Sequence, residues 1–122
     1  MIKKIFLILI LFFAVNVVYA GSYEDAIAKY NNVFLYLYTK DCSTCRNFEK
    51  TFNQIQSQNK DYGFVKVDAD TSYGRKLMLS FNGRYVPYIV LTDVKKNKIA
   101  NVSISCVMDE ICLIRAMKSF KG

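Results

Sequence analysis

Cys42-Ser43-Thr44-Cys45 constrains this chain more than any other stretch. It follows directly on a continuous apolar run, Val33-Phe34-Leu35-Tyr36-Leu37-Tyr38, and opens a segment in which Cys45, Phe48, Phe52 and Ile55 recur at three- and four-residue steps. The first pattern is that of a strand buried on both faces. The second is one apolar face of a helix. A pair of cysteines at that junction lies on the first helical turn, close enough to bond. There the first sulfur faces backbone N–H groups that lack helical partners and the positive end of the helix dipole, both of which favour its thiolate. The thiolate is the form that attacks disulfides, so position and chemistry agree on thiol–disulfide exchange.

The first twenty residues read as an export leader rather than as part of the fold. Lys3 and Lys4 supply a charged start, Ile5 to Val15 an apolar stretch, and Val18-Tyr19-Ala20 a small-residue cleavage site before Gly21. An uncleaved membrane anchor is the less favoured reading. The apolar stretch is short of the roughly 20 residues a span needs and is interrupted by Asn16. Residues 21–122 are then expected to form one domain with a single core, in the periplasm or secreted. The whole chain carries a formal charge of +7; without Lys3 and Lys4 this falls to +5. The positive residues are dispersed apart from Lys95-Lys96-Asn97-Lys98, which suits a solvated turn, so no nucleic-acid partner is expected. The chain has no histidine, which removes the commonest general base and the commonest metal ligand.

Along the rest of the chain, Ser22 and Asp25 form a partial capping box for a short helix through Tyr30. Tyr62 to Val67 is a second strand. Asp70 or Thr71 caps a helix bearing Leu77, Met78 and Phe81, which Asn82-Gly83 ends. Val86 to Thr92 is expected as a third strand and Ile99 to Ser105 as a fourth. The final helix is expected over Asp109 to Phe120, with Ile111, Ile114 and Met117 facing inward. The fold class is therefore α/β, a mixed sheet with helices on both faces.

Three landmarks in this order resemble the thioredoxin superfamily over nearly all of residues 23 to 120. They are the strand followed by Cys42-Ser43-Thr44-Cys45, the strand end Val65-Lys66-Val67-Asp68-Ala69-Asp70, and Phe81-Asn82-Gly83-Arg84-Tyr85-Val86-Pro87-Tyr88. The run Cys45-Arg46-Asn47-Phe48-Glu49-Lys50-Thr51-Phe52 is most similar to periplasmic thioredoxin-like domains, including the C-terminal domain of the transmembrane disulfide reductase. The resemblance implies a thioredoxin-like fold with a central mixed sheet of four to five strands. It also implies a cis Val86–Pro87 bond facing the dithiol, whose backbone groups bind an extended substrate segment. Tyr85, Tyr88 and Tyr38 are candidates for apolar contact with that segment, although ordinary packing accounts for them equally well. A monomer is expected, acting on protein disulfides with a redox partner protein that is membrane-embedded in one version, and with no cofactor.

The same resemblance assigns Cys42 as the attacking thiolate and Cys45 as the resolving thiol. Lys40 and Arg46 should favour the Cys42 thiolate and Asp41 disfavour it. Where reducing relatives carry a buried acid this chain has Tyr36, and the lysine partner's position falls on Phe64, so an ion pair is expected to have become an aromatic pair. Cys106 is expected at the end of the last strand, near the substrate groove, with Cys112 in the following helix. A Cys106–Cys112 disulfide is favoured in an oxidising compartment. Two buried thiols, an auxiliary redox pair and a four-thiolate zinc site remain alternatives, the last with poor ligand spacing. Function reads as reduction of protein disulfides. The alternatives are a dedicated reductant of apocytochrome or a similar client, and a binding module whose Cys42–Cys45 bridge is structural.

Overall fold

Ser22 starts the described fold, its hydroxyl accepting from the Asp25 N–H at 3.1 Å as the N-cap of α1 (Tyr23–Lys29). The computed structural model describes residues 22–122, and the expected leader over residues 1–20 lies outside them. The elements that follow are β1 (Asn32–Tyr38), α2 (Ser43–Gln58), β2 (Tyr62–Asp68), α3 (Ser72–Ser80), β3 (Tyr88–Asp93), β4 (Lys98–Val102), α4 (Ile104–Val107) and α5 (Glu110–Lys121). Thr71 caps α3 by accepting from Gly74 N–H at 3.0 Å. Beyond the helix, Asn82 takes a left-handed conformation at φ 57°, as a residue ending a helix often does.

The four described strands form one sheet in the order β2-β1-β3-β4. β1 pairs parallel with β2 and antiparallel with β3, and β4 runs antiparallel to β3. Central placement explains why β1 is apolar on both faces. Val33, Leu35 and Leu37 point to a core shared with Ala26 of α1 and Leu77 of α3. Phe34 and Tyr36 point to the other core, with Cys45, Phe48, Phe52 and Ile55 of α2 and Leu113, Met117 and Phe120 of α5. Helices thus cover both faces, as expected from the alternation of elements.

Three expectations are corrected. β3 begins at Tyr88 rather than Val86, because Pro87 has no N–H to give the ladder. β4 ends at Val102, so Cys106 does not close a strand but lies in the helical turn α4, started by Ser103, whose hydroxyl accepts from the Cys106 N–H. In α5 the buried residues are Leu113, Met117 and Phe120, and Ile111 is 64% exposed. Asp109 is the N-cap of α5, accepting from the Cys112 N–H at 3.2 Å.

Asp93 ties the end of β3 to the turn before β4. The Lys96 N–H and the Asn31 side-chain amide each donate to its carboxylate at 3.1 Å. The Lys96 backbone bond, outweighing burial and helped by Asn31, Lys96 and Asn32, holds the Asp93 carboxyl below its ordinary range. A depressed folded value contributes stability that is full above the ordinary carboxylate value and is lost as pH falls through the folded one. Asp93→Asn is therefore expected to flatten the acid limb of a urea-midpoint-against-pH curve. A limb as steep as wild type would contradict this.

Candidate active site

Cys42 is the N-cap of α2, and its sulfur accepts the Cys45 backbone N–H at 3.0 Å. It is half-buried, whereas Cys45, one turn in, is 1% exposed and packed in the core with Phe48 and Phe52. The two sulfurs are bonded to each other, with Cα atoms 5.2 Å apart. α2 is 16 residues long, so its dipole and unpaired N–H groups converge on the Cys42 sulfur. When that bond opens, the same N–H and dipole stabilise negative charge on Cys42, and Cys45 remains shielded from water. The arrangement separates an accessible nucleophile from a protected second thiol.

The Val86–Pro87 peptide bond is cis. The Val86 carbonyl oxygen lies 3.8 Å from the Cys42 sulfur, and Pro87 is buried. A disulfide sulfur carries no hydrogen, so this is a contact and not a hydrogen bond. It brings together two segments more than forty residues apart in the chain. Arg46 donates to the Lys40 carbonyl at 3.1 Å. Of the aromatics proposed for substrate contact, Tyr85 is 39% exposed. Tyr88 is not at the dithiol: it packs in the core under α1 and α3, on the opposite face of the sheet, with its hydroxyl donating to the Phe81 carbonyl.

The expected Tyr36–Phe64 pair does not form. The parallel register sets Phe64 beside Phe34, and their rings lie 5.2 Å apart, whereas Lys66 stands beside Tyr36. Tyr36 is fully buried, with its ring edge-on to Phe48. Its hydroxyl donates to Glu49 at 2.7 Å and lies 3.2 Å from the Cys45 carbonyl. Glu49 in turn forms an ion pair with Lys66, whose ammonium sits 4.5 Å from the centre of the Tyr38 ring. Burial first, then the Glu49 hydrogen bond and charge, push the Tyr36 phenol far above its ordinary range. Glu49 and Lys66 were missed from the sequence. The available signal was Glu49 four residues beyond Cys45, on the same helical face.

A family model described as thioredoxin matches residues 14–113. This chain belongs to the thioredoxin family. With the bonded Cys42–Cys45 pair at the head of α2, it is a thiol–disulfide oxidoreductase. Among solved structures it is similar to a single-substitution mutant thioredoxin from Halobacterium salinarum NRC-1. That match has 22% identity and a TM-score of 0.68, over 80% of this chain and 81% of the other. Mitochondrial thioredoxin 3 from Saccharomyces cerevisiae, in its oxidised form, matches at 16% identity and TM-score 0.65, over 76% and 82%. Thioredoxin f from spinach chloroplast matches at 18% and 0.66, over 80% and 76%. No curated protein matches the chain in sequence.

A second disulfide joins Cys106 to Cys112 and so staples α4 to α5 of this thioredoxin-family chain. Cys106 packs against the same core as Cys42 and Val86. Closing a loop of sequence separation 6 stabilises by roughly 2 kcal/mol on chain-entropy grounds. The double variant Cys106→Ala/Cys112→Ala is expected to lose about that much in urea unfolding. Wild-type stability would mean that caps and packing alone hold the helices.

Proposed function

We propose that this chain is exported to the periplasm or beyond, its leader cleaved after Ala20, and there reduces protein disulfides as a monomer. Cys42 attacks and forms the mixed disulfide, and Cys45 releases the reduced client. The Val86–Pro87 edge receives the client's extended backbone, and a redox partner protein in the membrane returns the electrons. The observation that supports this most is the contrast at the head of α2. A half-buried Cys42 sulfur accepts a helix N–H and lies 3.8 Å from the Val86 carbonyl, while Cys45 is 1% exposed. Reduction is favoured over oxidation because Ser43 and Thr44, between the cysteines, supply no cation to over-stabilise the thiolate.

Trapping in cells tests the proposal. Cys45→Ala leaves the mixed disulfide without its resolving thiol, so clients and the electron donor should be captured on Cys42 in the periplasmic and membrane fractions. Capture that persists in a Cys42→Ser/Cys45→Ala double variant would overturn the assignment of Cys42. Recovery of the uncleaved chain in the cytosol would overturn export.

A further inference from the structure

The basic side chains are dispersed in sequence apart from the turn at Lys95 to Lys98, but the fold gathers many of them. β1 and β2 run parallel and end together at Tyr38 and Asp68, beside the dithiol, and β3 returns antiparallel. Whatever enters β1 or β2, or leaves β3, therefore meets at the opposite pole. Lys29 ends α1 ahead of β1, and Lys60 lies in the turn ahead of β2. Lys95, Lys96 and Lys98 belong to the connection from β3 into β4. Lys118 and Lys121 stand in the last turn of α5.

Hydrogen bonds and an ion pair tie these segments together. The Val94 N–H donates to the Asn31 carbonyl at 2.9 Å and the Lys95 N–H to the Asn31 side chain at 2.8 Å, which joins the turn to the chain just after Lys29. The Lys96 and Lys98 ammoniums donate to the Gly122 and Phe120 carbonyls at 3.0 and 3.1 Å, which joins it to the end of α5. Lys121 pairs with Asp61, the neighbour of Lys60. All of these lysines are exposed.

The acidic side chains at this pole are Asp61, held by Lys121, and Asp93, which is 3% exposed and bonded to the turn. Counted by side chain, seven lysines against two aspartates leave a surplus of five positive charges. That equals the +5 of the whole chain beyond Lys4, so basic and acidic side chains balance everywhere else. The net charge of the domain is localised at the end away from the dithiol.

The geometry points to this pole as a docking surface for an anionic lipid bilayer. Its basic side chains are all lysines, whereas Arg46, Arg75, Arg84 and Arg115 lie elsewhere. Protein interfaces are enriched in arginine and depleted in lysine. A hydrated point charge on a flexible stem suits instead a diffuse field of headgroups, which asks for no fork geometry. Tyr30, 40% exposed, and Val94, 46% exposed, stand among the lysines, and an amphipathic ring is at home at headgroup level. Among the described residues, Lys96, Lys98 and Lys121 are the ammoniums engaged at this pole, which leaves those of Lys29, Lys60, Lys95 and Lys118 to the lipid.

Seated this way, the strands stand upright on the bilayer. β1 has seven residues, so the dithiol is held about 20 Å above the lipid at ~3.3 Å per residue. A membrane-borne redox partner has to present its own thiols at that height. The docking is independent of Cys42, so its failure leaves the redox reading standing, and the reverse holds too.

Vesicle co-sedimentation provides the test. The chain is purified as the cell delivers it and mixed with vesicles of equal parts phosphatidylglycerol and phosphatidylcholine, or of phosphatidylcholine alone. At about 0.15 M salt, where charges more than ~8 Å away are largely screened, only the first should sediment the chain. Binding should be lost toward about 1 M salt, where the field reaches only ~3 Å. Each lysine at such a surface contributes about fivefold, so Lys29→Gln/Lys60→Gln/Lys95→Gln/Lys118→Gln should bind at least about a hundredfold more weakly. Lys50→Gln/Lys76→Gln/Arg84→Gln/Arg115→Gln removes as much charge from the balanced remainder and should bind like wild type. All eight positions are exposed. Should a variant fail to fold by circular dichroism, the lipid and salt dependence of the wild-type chain carries the test. Equal binding to both vesicles, as the apolar leader would give, overturns the proposal. So does an equal loss in both variants, as total charge would give. Retention on soluble polyglutamate with no binding to either vesicle would assign the pole to acidic proteins and overturn it as well.

Discussion

Cys42→Ser is expected to bring dithiothreitol-driven insulin reduction down to the uncatalysed rate, the largest functional effect of any single substitution in this chain. The argument is chemical before it is structural. A serine hydroxyl is not ionised at neutral pH and does not attack a disulfide, so the mixed disulfide never forms. Nothing else at the site substitutes for it. Cys45 is 1% exposed, and Cys106 and Cys112 are bonded to each other outside α2. Cys45→Ala should behave differently, reacting once and then stalling as the adduct. The two variants together separate attack from release. The result that would sink the enzyme reading is an insulin turbidity rate in Cys42→Ser equal to wild type. In that case the Val86–Pro87 edge would be a holding surface and the Cys42–Cys45 bridge a structural bond.

Gly74→Ala is expected to destabilise the chain by about 2–3 kcal/mol, against what helix propensity alone would say. Gly74 lies inside α3, where alanine is favoured by about 1 kcal/mol. A Cβ there, however, would meet the Asp68 carbonyl oxygen and come within 2.7 Å of the Ala69 Cα. Both obstacles are backbone, at the end of β2, where the Ala69 N–H donates to the Tyr38 carbonyl at 2.7 Å. No side chain can swing aside, so α3 must lift or the strand end must shift. Overpacking that moves the backbone costs about 1–3 kcal/mol and occasionally more; with backbone atoms alone in the way, this site lies at or above the top of that range, which outweighs the propensity gain. A urea midpoint lowered with unchanged slope would support the argument. A midpoint equal to or above wild type would show that the β2 end yields freely.

Several features of the fold were legible before any coordinates because the forces behind them act between near neighbours. The apolar run of β1, the helical spacing after Cys42, and the caps at Ser22 and Thr71 each depend on residues a few positions apart. The same is true of the dithiol. A Cys-x-x-Cys after a buried strand and before an amphipathic helix already places one sulfur at a helix start. Errors arose where periodicity had to stand in for packing. Ile111 and Leu113 fit a helix equally well, and only the docking of α5 against β3 and β4 decides which faces the core. Residues 103–105 read as the end of the strand from Ile99, and Ser103 capping a turn overrode that.

From the order of its residues alone, this chain carries a reactive sulfur pair at a helix start, an alternation of strands and helices, and a single proline to set beside them. The folded sheet decided who surrounds that pair. Register put Lys66 rather than Phe64 beside Tyr36. The pitch of α2 then brought Glu49 to both, and the loop before β3 laid the Val86 carbonyl against Cys42. The reason is physical. Caps and periodicities are satisfied within one turn of chain, whereas register and side-chain pairing depend on contacts between residues far apart in sequence, which only the packed structure brings together.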